Sequence, residues 1–71
     1  MKWKIKGTCY LYKHKCLAYL YRNHKVEKVK TGMFSEISFI FYGTNEEMRK
    51  FISNLSDTFR FIPIKSRKCW F

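Results

Sequence analysis

The sequence predicts an α+β domain, a four- or five-stranded and mainly antiparallel sheet with one amphipathic helix, about residues 45–56, on one face. Three observations carry this. Residues 2–12 alternate between polar and apolar side chains. Residues 34–42 form a dense apolar run closed by Gly43. Residues 44–55 join a helix-starting motif to an apolar stripe of helical period. The elements follow in order from these three.

In residues 2–12, Trp3, Ile5, Gly7, Cys9 and Leu11 take the odd positions, and Lys2, Lys4, Lys6, Thr8, Tyr10 and Tyr12 the even ones. A period of two sends the sets to opposite faces of a strand. Ammonium groups lose hydration when buried unpaired, so the Lys/Tyr face is expected to be the open one. Lys13-His14-Lys15 reads as a hairpin loop, and residues 16–22, rich in Tyr and Leu, as a second strand. That strand adds either Leu17, Tyr19 and Tyr21 or Cys16, Ala18, Leu20 and Arg22 to the open face, and one residue of loop length decides which. Asn23-His24 is a turn. Val26 and Val29 bracket Glu27-Lys28 in an exposed third strand or arm, and Thr31-Gly32 turns again.

Residues 34–42 are expected at the centre of the sheet. Thr44-Asn-Glu-Glu47 then reads as a capping box, in which the Thr44 hydroxyl accepts from the Glu47 N–H and the Glu47 carboxylate reaches back. Glu46 and Glu47 also suit the positive end of the helix dipole. Met48, Phe51, Ile52 and Leu55 form one stripe, and Ser56-Asp57-Thr58 is expected to stop the helix. Residues 59–64 form a last strand, with Pro63 placing it at an edge or near its own end, and residues 65–71 a tail. The order is β-β-β-β-α-β, and its βαβ end resembles a ferredoxin-like plait in outline, an architecture with many functions. One helix covers one face, and the other face stays open to water or a partner.

The chain has 71 residues, enough for one domain over 1–71 and too few for two. Its 46% apolar and 20% aromatic content is too high for a disordered basic tail. The three cysteines, Cys9, Cys16 and Cys69, are an odd number without CxxC spacing. Cys9, His14, Cys16 and His24 match no usual zinc finger, so no metal or cofactor is expected. In the hairpin register Cys9 and Cys16 fall about two residues apart, beyond disulfide reach. Buried reduced thiols and a cytoplasmic setting follow. Lys4, Lys6 and Gly7 break any leader-like run at the start. Residues 37–42 are too short to span a bilayer, so no membrane partner is expected.

The formal charge is +10, with 15 Lys and Arg against 5 Asp and Glu. It is segregated: residues 1–33 carry a net +8, residues 34–59 a net −2 and residues 60–71 a net +4. If the first and last strands meet, the two positive blocks merge. A Lys/Tyr sheet face suits single-stranded nucleic acid, because ammonium groups neutralise phosphates and Tyr rings stack on bases. The candidate contacts are Lys2, Lys4, Lys6, Tyr10, Tyr12, Lys13, Lys15 and Arg22, extended by Lys25, Lys28, Lys30, Arg67 and Lys68. A helix that starts with two acids is a poor groove reader.

Catalysis finds little support in the sequence: Cys16 with His14 or His24 would make a nucleophile pair, but no orienting acid is evident apart from Glu27. Glu46 and Glu47 are adjacent cap residues, His14 and His24 fall in turns, and there is no Gly-rich phosphate loop. The expectation is a non-catalytic nucleic-acid-binding protein, with single-stranded RNA or DNA favoured. The rival is a protein-interaction module, an inhibitor or adaptor of the kind phages and mobile elements encode, that binds an acidic surface. Trp70 and Phe71 are its candidate anchors, and the open sheet face offers a route to a homodimer.

Overall fold

The alternating N-terminal segment forms strand β1 (Lys2–Thr8) in a computed structural model that describes residues 1–69. The chain continues through helix α1 (Lys13–Arg22), β2 (Val26–Thr31), a 3-10 turn (Met33–Ser35), β3 (Glu36–Tyr42), α2 (Asn45–Phe59) and β4 (Ile62–Cys69). The four strands make one antiparallel sheet in the order β2-β3-β1-β4. This is the split β-α-β-β-α-β arrangement, with both helices packed on one side of the sheet.

The α+β class and the open antiparallel sheet match the sequence reading. The strand order and the helix count do not. Residues 13–22 are helical rather than a hairpin loop and second strand. Cys16 and Leu20, one helical turn apart, are fully buried, and Leu17 packs against the core beside them. A strand would send Cys16 and Leu17 to opposite faces, whereas a helix gathers all three on one stripe. The usual start signals are missing. Tyr12 at the N-cap makes no side-chain cap bond, and no acid stands in the first turn. The helix begins on the backbone alone, with the Cys16 N–H donating to the Tyr12 carbonyl at 2.9 Å. It also carries the chain over the sheet, so that β2 lies two places from β1 and β3 fills the gap.

The remaining boundaries shift for local reasons. β1 ends at Thr8, so Tyr10 and Tyr12 stand in the connection to α1 rather than on the strand. α2 runs past Ser56-Asp57-Thr58 to Phe59 and ends at Arg60, which takes a left-handed conformation with φ 57. The Arg60 N–H donates to the Ser56 carbonyl and the Phe61 N–H to the Leu55 carbonyl, and this left-handed closure turns Phe61 into the core. The capping box is present: the Glu47 N–H donates to the Thr44 hydroxyl at 3.2 Å, and the Thr44 N–H to the Glu47 carboxylate at 3.1 Å. β4 is an edge strand, as Pro63 suggested, but it spans Ile62–Cys69 and takes in most of the expected tail.

The core lies between the sheet and the helices. Ile5, Ile37, Phe39 and Phe41 face Leu20, Met48, Phe51 and Leu55, and Phe61 closes one end. Phe41 stacks on Phe51 with centroids 4.6 Å apart, and Phe39 meets Phe51 edge-on at 5.8 Å. Tyr19, one option for the open sheet face, instead packs on α1's own side against Phe51 and Phe59. Cys9 and Cys16 are buried free thiols. The hairpin register held them apart, but the helix brings the two thiols side by side, and the Cys9 thiol donates to the Phe59 carbonyl at 3.1 Å. Burial, with Cys9 beside it, pushes the Cys16 thiol up to about 12.

Candidate functional site

The pairing register assigns the open face residue by residue, because directly opposed residues in an antiparallel ladder point the same way. Ile5 is opposite Phe39 and Ser66, on the helix side. The rows between face away from the helices. Lys4 lies between Ile40 of β3 and Arg67 of β4, and Glu27 of β2 extends that row. Lys6 lies between Ser38 and Lys65, with Lys30 beyond Ser38. Lys2 is opposite Tyr42, and its ammonium sits 5.3 Å from the ring centroid.

The positive blocks at the two ends of the chain therefore meet, since β1 and β4 are neighbours. Lys4, Lys6, Lys65 and Arg67 surround a shallow depression of about 190 Å³ on the open face. Lys6 is paired with Glu36 at 3.4 Å, whereas Lys4, Lys65 and Arg67 enter no ion pair among the described residues. Four cations on adjacent strands repel one another, and an anion in the depression relieves that repulsion. Glu27, which shares this face with Glu36, is engaged elsewhere and accepts a hydrogen bond from the Tyr42 hydroxyl. That bond holds the Tyr42 hydroxyl above its ordinary range.

The expected contacts divide by position. Lys2, Lys4, Lys6, Lys30 and Arg67 share the open face. Lys13 and Lys15 stand in the first turn of α1, where no acid offsets them and the helix dipole adds to their charge. The Lys15 ammonium lies 5.8 Å from the Tyr12 ring centroid. Arg22 ends α1. Lys25 pairs with Glu47 at 3.0 Å, beside the helix cap rather than on the open face. Lys28 occupies the β2 bulge with φ 52, and Lys68 is opposite Trp3 on the helix side. Trp70 and Phe71, the expected partner anchors, lie outside the described residues.

Lys65 and Tyr42 belong to this face, and the sequence reading missed both. Lys65 was assigned to a tail, although Lys65 and Arg67 share parity and so share a face of any strand that continues past Pro63. Tyr42 closes the β3 alternation of Glu36, Ser38 and Ile40 on the same side.

A cavity of about 420 Å³ opens on the opposite side between α2 and β4, with Trp3, Met48, Ile52 and Pro63 in its walls. Among the described residues Arg49 is the one ionisable group lining it, so they place no acid–base pair there. His14 lies in the first turn of α1 rather than in a loop, and both it and His24 are exposed. Among the described residues, no group of three or more His, Cys, Asp or Glu comes together, and no helix is long and apolar enough to cross a membrane. No family model and no curated protein matches this chain.

Proposed function

We propose that this protein binds single-stranded nucleic acid, without catalysis, through the open face of its sheet. One observation carries the reading: Lys4, Lys6, Lys65 and Arg67, drawn from opposite ends of the chain, line one depression in which, among the described residues, Glu36 is the single carboxylate paired. Flanking charge from Lys2 and Lys30 on the same face lengthens the track. A four-stranded sheet backed by two helices is one platform on which single-stranded RNA is held, but the charge on this face, not the architecture, supports the assignment. Ammonium and guanidinium groups bind phosphates by displacing condensed counterions, so affinity must fall with salt.

The test is equilibrium binding of a fluorescent ten-nucleotide oligothymidine and its oligouridine counterpart across a salt series. The expected slope of log K against log salt is about −0.7 for each phosphate contacted. The double substitution Lys4→Gln with Arg67→Gln makes the slope shallower by about 0.7 per lost contact. No binding to either oligonucleotide at low salt would sink the proposal. An acidic protein is the rival partner, and excess oligonucleotide failing to compete with it would favour that rival.

A further inference from the structure

Five exposed apolar side chains gather at one end of the sheet. The β1–α1 connection presents Tyr10 (62% exposed), Leu11 (73%) and Tyr12, and the 3-10 turn presents Met33 (78%) and Phe34 (83%). The two segments are fastened to each other. The β1–β3 ladder continues one step beyond Thr8 and Glu36, where the Cys9 N–H donates to the Ser35 carbonyl at 3.1 Å. Phe34 and Ser35 both take left-handed conformations, with φ 55 and 61, which side-chain-bearing residues seldom adopt. The backbone is thus bent in a way that holds a Phe ring in water, and strain of this kind gathers at functional segments.

We infer that this tip is the base-stacking end of the site proposed above, with Tyr10 and Phe34 as its principal platforms; the inference rests on that reading of the open face. The tip directly continues the cationic rows. Thr8, at the end of β1, lies about 13 Å from Lys4 at about 3.3 Å per residue, the length of about four stacked nucleotides at about 3.4 Å each. A strand laid along β1 sets its phosphates over Lys4, Lys6, Lys65 and Arg67 and brings its next bases to the rings. Lys13 and Lys15, at the positive end of α1, hold the tip at positive potential as well. A bilayer is a plane. It would take the tip alone and leave the four-cation depression, which runs away from the tip along the strands, in water. A linear polyanion with flat bases uses both.

The experiment replaces rings by aliphatic bulk. Tyr10→Leu and Phe34→Leu keep apolar contact area and remove stacking, and both sites are exposed, so the fold is checked simply by the thermal midpoint. Expected is a loss of affinity for the ten-nucleotide oligothymidine and oligouridine of about five- to a hundredfold in the double variant, with the salt slope unchanged because no phosphate contact is removed. Wild-type binding with no loss in the double variant overturns the tip assignment and leaves the open-face reading standing. Absence of wild-type binding overturns both. Retained oligonucleotide affinity together with sedimentation on phosphatidylserine vesicles would make the tip a membrane contact and overturn the inference.

Discussion

Gly7 shows how one residue fixes the β1–β4 seam. It is buried, and a Cβ there would stand 2.4 Å from Phe61 Cζ and 2.5 Å from the Ile62 carbonyl oxygen. Neither neighbour is free to yield, since Phe61 is core and Ile62 is paired in the ladder. Gly7→Ala is therefore expected to lower the unfolding free energy by about 1–3 kcal/mol, read as a lower urea midpoint. An unchanged midpoint would mean that the register shift between Lys6 and Gly7 absorbs the methyl group. In the sequence, Gly7 is only a gap in an apolar face, because the ring that fills the gap comes from 54 positions along the chain. The capping role of Glu47 was legible by contrast, as its Thr44 partner is three residues away. The Thr44 backbone N–H and then the Lys25 ammonium hold its carboxyl down at about 2, from an ordinary 4.5. A depressed carboxyl stabilises the fold when ionised. Its contribution is complete above about pH 4.5 and is lost as the pH falls through about 2. Thermal midpoints from pH 5 to pH 2 should fall more steeply for wild type than for Glu47→Gln, and parallel curves would remove the capping carboxylate as the cause.

At the scale of elements, legibility followed the strength of local signals. α2 carries a cap, two first-turn acids and a clean stripe, and its start was readable to the residue. α1 has neither a side-chain cap nor a first-turn acid, and its run of Cys, Leu and Tyr fits a strand as well as a helix when only local pattern is weighed. Packing decided it, through Cys16 and Leu20 sinking into the core beside α2. A consequence belongs to this element. With α1 docked, Cys9 and Cys16 are shielded, and the Cys16 thiol is further held protonated by burial. Iodoacetamide at pH 8 should leave both unmodified in the native protein and alkylate both in guanidinium, as mapped by peptide mass. Alkylation of either without denaturant would show that the 9–12 connection opens readily.

Across the whole molecule, the decisive property is that charge and core lie on opposite sides of one sheet. The acids of α2 (Glu46, Glu47 and Asp57) lie on the helix layer, whereas the open face gathers Lys2, Lys4, Lys6, Lys30, Lys65 and Arg67. The predicted weakening of oligonucleotide binding with salt belongs to this scale, since it reads the summed field of the face rather than any one contact. The sequence by itself determined which residues of β1 face water, the start of α2, and the segregation of charge into two positive ends around a near-neutral middle, because these depend on neighbours a few positions apart. Only the tertiary structure decided that the two ends join. Lys4 meets Arg67, and Lys6 meets Lys65, because α1 lifts the chain over the sheet and leaves β1 free to pair with β4. That pairing is set by which apolar faces can be buried together, a property of the whole chain that no local period records.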